Sequence, residues 1–204
     1  SNGVIKIESR IYGGAGNDTI LGSAARDRVY GGDGDDSVSS GSGRDILYGE
    51  AGDDSLIGDT GDDYIDGGAD DDSIWGNRGD DHCLGGDGLD SISGHDGDDS
   101  LEGELGDDSI LGGHGADDIS GDEGNDDCSG DEDNDTVHGD DDNDTVSGGI
   151  GDDRVISGPG PASLIGGAGS DQLIGNEFAD TIDGGDNNDG VVRGVIRGND
   201  LGSN

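Results

Sequence analysis

The chain has 204 residues, 51 of them acidic against 9 basic, with a formal net charge of -42, 47 glycines and only 26% hydrophobic residues. Leu, Ile, Val and Phe together number 38; so little apolar surface cannot offset about 1–2 kcal/mol of backbone entropy per residue, which excludes a conventional core and by composition alone points to disorder. The charge excludes nucleic acid as a partner, no apolar run is long enough to span a membrane, and the first residues lack the basic and apolar stretches of a signal peptide.

In chain order, the segment 1–12 comes first. Its Val4-Ile5-Lys6-Ile7-Glu8-Ser9-Arg10-Ile11-Tyr12 is spelled like a strand without a glycine-rich loop, and is expected to be an N-terminal cap or docking strand. From Gly13 to Val192 the chain then divides into twenty units of nine residues with no insertion or deletion. The first reads GGAGNDTIL, and later ones read GGDGDDSVS, GEAGDDSLI and GELGDDSIL. The first position is Gly in 18 of 20 units, the fourth is Gly in 14, and the sixth is Asp in 19, with Ala162 the exception. The eighth is apolar in every unit, from Ile20 and Val29 to Ile182 and Val191. A disordered chain has no reason to hold a nine-residue phase; such a period signals a solenoid.

The physics of one unit explains its spelling. Glycines at positions one, two and four are expected to permit positive φ and a close backbone approach to a ligand. The last residues, such as Thr19-Ile20-Leu21, suffice for a short strand whose alternation sends the eighth side chain inward. One inward aliphatic per nine residues makes a core only if units stack. The expected fold is all-β: a right-handed parallel β-roll (a β-solenoid) with two nonapeptides, 18 residues, per turn, hence about ten turns and about 48 Å of length.

Departures from the pattern are local. The unit SGPGPASLI, 157–165, carries Ala162, Pro159 and Pro161 and keeps Leu164. Asp70, Asp133, Asp142, Phe178 and Asn187 replace the fourth glycine, so those loops are expected to be strained or to recruit another carboxylate. After Val192 the phase slips, leaving 193–204 as a C-terminal extension with a repeat remnant at Gly198-Asn199-Asp200-Leu201. Cys83 and Cys128 sit at the inward eighth position five units apart, too far for a disulfide, and read as core thiols. On one sheet the seventh position, from Thr19 through Ser37 and Ser55 to Thr181, forms a hydroxyl ladder broken once at Asp127. It suits a solvated strand; a surface for ordered water, O-linked sugar or a neighbouring roll is the alternative. On the other sheet Tyr12, Tyr30 and Tyr48, joined by Tyr64, are expected to stack or to form a contact patch. His82, His95, His114 and His138 occupy four different unit positions, so no shared geometry places one beside a nucleophile, and no catalytic residue is expected. The three Asn-x-Thr sequons, at Asn17, Asn134 and Asn143, follow from the repeat spelling.

The unit GGxGxDxUx, with U apolar, resembles the RTX (repeats-in-toxin) nonapeptide over residues 13–192. The resemblance implies a parallel β-roll that binds Ca²⁺ in its turns. Each ion sits between neighbouring turns of one edge, held by loop carbonyls and by sixth-position Asp carboxylates from both. Carried over, one edge has Asp18, Asp36, Asp54, Asp72, Asp90, Asp108, Asp126, Asp144, then Ala162, then Asp180. The other has Asp27, Asp45, Asp63, Asp81, Asp99, Asp117, Asp135, Asp153, Asp171 and Asp189. Ten turns per edge leave nine gaps each, so up to 18 sites, of which 16 keep both carboxylates because Ala162 borders two. Oxygen-only ligation suits Ca²⁺; Mg²⁺ demands tighter octahedral geometry, and zinc would need His or Cys. Stacked carboxylates about 5 Å apart repel by about 1 kcal/mol in water, so the metal-free roll is expected to fall apart and folding to be one equilibrium with binding.

The resemblance further implies a bacterial protein that is secreted or at the cell surface, and not an enzyme. Two uses are expected. One is a rigid structural, adhesive or filament-forming rod, assembling end to end with copies of itself through open strand edges. The alternative is the C-terminal calcium-dependent folding and type I secretion module of a larger toxin, protease, lipase or epimerase. Twenty unbroken units without a recognisable export signal after Leu201 favour the rod at this stage.

Overall fold

The computed structural model describes residues 9–187 and 189–191. Among them are twenty-one strands, β1 (Ser9–Ala15) to β21 (Gly190–Val191), and no helix. The odd-numbered strands form one eleven-stranded sheet and the even-numbered strands one ten-stranded sheet, each in chain order and parallel throughout. Every pairing is offset by 18 residues: Ser9 lies beside Asp27, Val38 beside Leu56 and Leu173 beside Val191. Two nonapeptides therefore close one turn of a β-solenoid of about ten turns, as the period implies.

The eighth position supplies the core. Its side chains from Ile20 to Leu173 are all buried and form one cluster running between the two sheets. At the C-terminal end the stack loses its cover: Ile182 is only half-buried and Val191 is 39% exposed. Cys83 and Cys128 are buried free thiols within this cluster.

The strands are longer than the spelling suggests. Ser55–Thr60, for instance, takes positions seven to nine of one unit and one to three of the next. Except at Ser23 and Asn176, the residue at position two bends the chain through positive φ without leaving the ladder: Glu50 (φ 79) still lies beside Gly68 (φ 114). Position four is also left-handed in most units, and Asp70, Asp133, Asp142 and Asn187 adopt it at φ 78 to 94 despite their Cβ atoms, at a cost of about 1 kcal/mol or more each. Position one departs from expectation, since among the described residues no first-position glycine has positive φ. Its glycine answers a steric requirement instead.

Both surface ladders form. Tyr12 stacks on Tyr30 at 4.9 Å and Tyr30 on Tyr48 at 5.1 Å, nearly parallel, and the column continues tilted through Tyr64 to His82. Thr19, Ser37, Ser55 and their successors to Thr181 pair in register along the ten-stranded sheet. Ser9–Tyr12 of the N-terminal segment belongs to β1, which pairs with β3 in the eleven-stranded sheet. Val4–Glu8, Val192 and the extension 193–204 with its Gly198–Leu201 remnant lie outside the described residues.

Candidate metal centre

The sixth-position aspartates line the two edges of the roll, where the chain passes from one sheet to the other. Sixteen of them, Asp27, Asp36 and Asp45 through Asp153 and Asp171 along both edges, are at most 3% exposed, and Asp180 is 5% exposed. Their two oxygens have different surroundings. Oδ1 accepts the backbone N–H of the aspartate one turn earlier: Asp36 donates to Asp54 at 2.7 Å, Asp63 to Asp81 at 2.7 Å and Asp99 to Asp117 at 2.8 Å. The pattern runs from Asp18 N–H on Asp36 to Asp171 N–H on Asp189. Oδ2 turns inward and has no partner at Asp36, Asp45, Asp54, Asp63, Asp72, Asp81, Asp90, Asp99, Asp108, Asp117, Asp126, Asp135, Asp144, Asp153 and Asp171. A buried acceptor without a donor costs about 1–3 kcal/mol, more when charged, and here the cost recurs with an 18-residue period.

The first-position glycine faces that oxygen. A Cβ at Gly31 would lie 2.5 Å from Asp36 Oδ2 and 2.7 Å from the Gly49 carbonyl oxygen of the next turn; at Gly166 it would lie 2.6 Å from Asp171 Oδ2 and 2.5 Å from the Gly184 carbonyl. Only glycine leaves open the space on which carboxylate and carbonyl converge. Each turn thus holds a cradle lined by oxygens.

Electrostatics sharpens the same point. Desolvation, followed by repulsion from neighbouring aspartates, pushes the carboxyls up despite the lowering effect of the Oδ1 hydrogen bond, to about 6 at Asp54, about 7 at Asp63, about 8 at Asp72 and about 7 at Asp99. Asp45, Asp153 and Asp171 shift upward for the same leading reason. A cation would supply the missing positive partner. Among the described residues no three His, Cys, Asp or Glu side chains converge on one point, so a cradle offers carboxylates and backbone carbonyls only. That donor set fits a hard cation with flexible oxygen coordination, as Ca²⁺ is.

Four turns differ. Asp27 Oδ2 is taken by the Ser23 N–H at 2.7 Å and the Ser23 hydroxyl at 2.9 Å. Ser40 replaces the first glycine beside Asp45; it is fully buried and its hydroxyl donates to the Gly58 carbonyl at 2.6 Å. In the unit with Ala162, Ser157 occupies the first position, and the Asn176 amide donates to the Gly158 carbonyl and to the Gly160 carbonyl at 2.5 Å. Asp180 Oδ2 accepts the Asn176 N–H at 2.8 Å. Asp18 begins its edge, half-buried, with its Oδ2 facing Gly13; Asp189 ends the other, its Oδ2 facing Gly184.

Sequence reasoning missed a second ladder. Fifth-position Asp or Asn side chains, on the exposed outside of the turns, accept the backbone N–H one turn later: Asp71 from Leu89, Asp98 from Ala116, Asp107 from Asn125 and Asn134 from Asp152. The signal was present, because position five is Asp or Asn in 13 of the 20 units, residue types that bond neighbouring backbone. Two of the sequon asparagines use their amides within this ladder, Asn17 on Asp35 and Asn143 on Asn125. The histidines remain apart from the edges: His114 meets Glu132 at 3.0 Å on the outside, and His82 ends the tyrosine column.

The family model for the RTX calcium-binding nonapeptide repeat matches eight stretches, the first five overlapping, which together span 12–161 and 165–194. This chain belongs to the RTX repeat family. The match breaks only at 162–164, beginning at the alanine that interrupts the aspartate column. No curated protein matches the chain. The relationship therefore rests on the repeat itself.

Proposed function

We propose that this RTX chain is a calcium-folded rod that works outside the cell, and that its purpose is mechanical rather than catalytic. The observation that carries this reading is the column of buried, partnerless Oδ2 atoms on each edge, faced by first-position glycines and next-turn carbonyls. Asp36, Asp54, Asp63, Asp72 and their equivalents through Asp171 hold the ions, with Asp18 and Asp189 closing the edges. When bound, Ca²⁺ neutralises the carboxylates and ties each turn to the next. The chain's own part is to fix each carboxylate through the Oδ1 hydrogen bond and to leave the cradle free of side chain.

Location follows from affinity. Sites in extracellular calcium modules bind at about 10⁻⁴–10⁻³ M, so a ladder of this kind stays unfolded where calcium is scarce and rolls up where it is plentiful. Support for a rod comes from the unbroken 18-residue register over about ten turns and from flat outer faces of Ser, Thr and Tyr. No helix of the described residues is long and apolar enough to cross a membrane. Copies would join end to end by pairing of strand edges. Small-angle scattering tests the reading. The unfolded chain has an expected radius of gyration of about 50 Å, and a rod about 48 Å long has about 16 Å. Collapse between these values on adding calcium is the predicted result; equal radii with calcium and with EDTA would refute it.

A further inference from the structure

The irregular turns share one property: a side chain or donor of the chain itself stands at the cradle, on the carboxylate at Asp27 and Asp180 and on carbonyls at Ser40 and Asn176, while Asp45 Oδ2 stays without a partner. At Asp27 the donor is Ser23, through both N–H and hydroxyl, and the inward oxygen that is orphaned elsewhere is fully engaged. At the next turn of the same edge, Ser40 stands in the first position, where every regular unit needs glycine. Its side chain, with no exposed surface, fills the space a cation would take, and its hydroxyl engages the Gly58 carbonyl that faces the cradle. On the opposite edge, near the other end, the pattern recurs with different residues. Ala162 removes the carboxylate, and the Asn176 amide bridges the Gly158 and Gly160 carbonyls of that same loop. The backbone N–H of Asn176 meets Asp180 Oδ2, so one residue satisfies two carbonyls and one carboxylate across adjacent turns. Pro159 and Pro161 fix φ in the loop so spanned.

We propose that Ser23, Ser40 and Asn176 are built-in replacements for calcium, closing two gaps on one edge and the Ala162–Asp180 gap on the other; the Asp144–Ala162 gap has lost one carboxylate, and the saturated roll holds fourteen ions rather than the sixteen that counting aspartates gives. The inference rests on the calcium reading above and refines its stoichiometry. Seven cation gaps remain on each edge. On one they run from the Asp18–Asp36 gap to the Asp126–Asp144 gap, and on the other from Asp63–Asp81 to Asp171–Asp189. The metal-free gaps lie at diagonally opposite corners, two at the start of one edge and two at the end of the other. Each corner then keeps a turn-to-turn tie that chelation does not remove.

Counting bound calcium at saturation, by native mass spectrometry and by elemental analysis of the dialysed protein, tests this. Fourteen ions are expected for the natural sequence. Ser40→Gly restores the cradle beside Asp45 and is expected to bind fifteen; the triple change Ser157→Gly, Ala162→Asp and Asn176→Gly is expected to bind sixteen. The converse substitution Gly94→Ser, which places a Ser40-like side chain against Asp99, is expected to bind thirteen, and it keeps the test decisive should the restored variants not fold. Sixteen ions in the natural chain, or an unchanged count in both Ser40→Gly and Gly94→Ser, would overturn the replacement while leaving the calcium roll intact. A chain binding no calcium at all would overturn the underlying reading instead.

Discussion

The middle of the roll and its two irregular corners fold alike and are held differently. From Gly49 to Asp153 each turn repeats one arrangement: a glycine, a carboxylate anchored by Oδ1, and an Oδ2 with nothing to bind. At 22–45 on one edge and 157–180 on the other the backbone keeps the same parallel register, yet serine and asparagine donors meet Asp27 Oδ2 and the Gly58, Gly158 and Gly160 carbonyls. The comparison separates two requirements that the repeat normally fuses. Register follows from the inward aliphatic and from lateral hydrogen bonding, which both regions share. Dependence on a cation follows from the unanswered oxygen, which recurs at every turn of the middle.

The largest contrast is expected from deleting carboxylates in the two regions. Asp99→Ala removes a ligand from two gaps and strands the Asp81 N–H that donates to it; it is expected to cost the calcium-loaded roll about 3–5 kcal/mol and to raise the calcium midpoint several-fold. Asp27→Ala breaks only the bonds to Ser23 and is expected to cost about 1 kcal/mol, with the ion count unchanged. Denaturant unfolding in saturating calcium measures both, and equal losses would erase the distinction. A comparable contrast holds in the core. Leu101→Ala, fully buried, is expected to cost about 2–5 kcal/mol, whereas Ile182→Ala at the uncovered end costs less than about half of that.

Acidity separates the two states of the middle turns. In the calcium-free roll Asp63 and Asp99 keep their protons up to about 7 and Asp72 up to about 8, against about 4 in the unfolded chain. The rolled state binds more protons, so this contribution to stability is complete below about pH 4 and is lost as pH rises through about 6–8. Acidifying the chain in EDTA from pH 8 to pH 4.5 is therefore expected to recover β-structure. The same step in limiting calcium is expected to weaken ion binding, because protons compete for Oδ2. Circular dichroism against pH, with and without calcium, checks the opposite slopes; parallel slopes would contradict them. The smallest effect is expected at the surface: Tyr30→Ala breaks two stacking contacts and should lower stability by about 0.5–1.5 kcal/mol without changing the ion count.

Much of this was legible in the chain. The nine-residue phase gave the turn length, the eighth position gave the core, and the separation of the aspartates by 18 gave the two edges, because each is a side-chain requirement repeated twenty times. What escaped had other causes. The strands extend into positions one to three through backbone hydrogen bonding, which leaves no mark on side-chain type. The first glycine is required by the space beside Oδ2 rather than by φ, and both needs have the same spelling. Ser23 and Asn176 occupy position two, which varies along the chain, so their donors read as ordinary variation until the carboxylates beside them were located. Ser40 was visible as a departure from glycine, but its meaning depends on the Gly58 carbonyl it meets one turn later.

The central claim, that calcium rather than an apolar core decides whether this chain folds, is tested most directly by a far-ultraviolet circular dichroism titration with CaCl₂, run in parallel with MgCl₂ and after EDTA. The account predicts coil in EDTA and in magnesium, and a steep transition to β-structure in calcium alone. A chain already β-structured in EDTA at neutral pH, or one that remains coil in calcium, would contradict it.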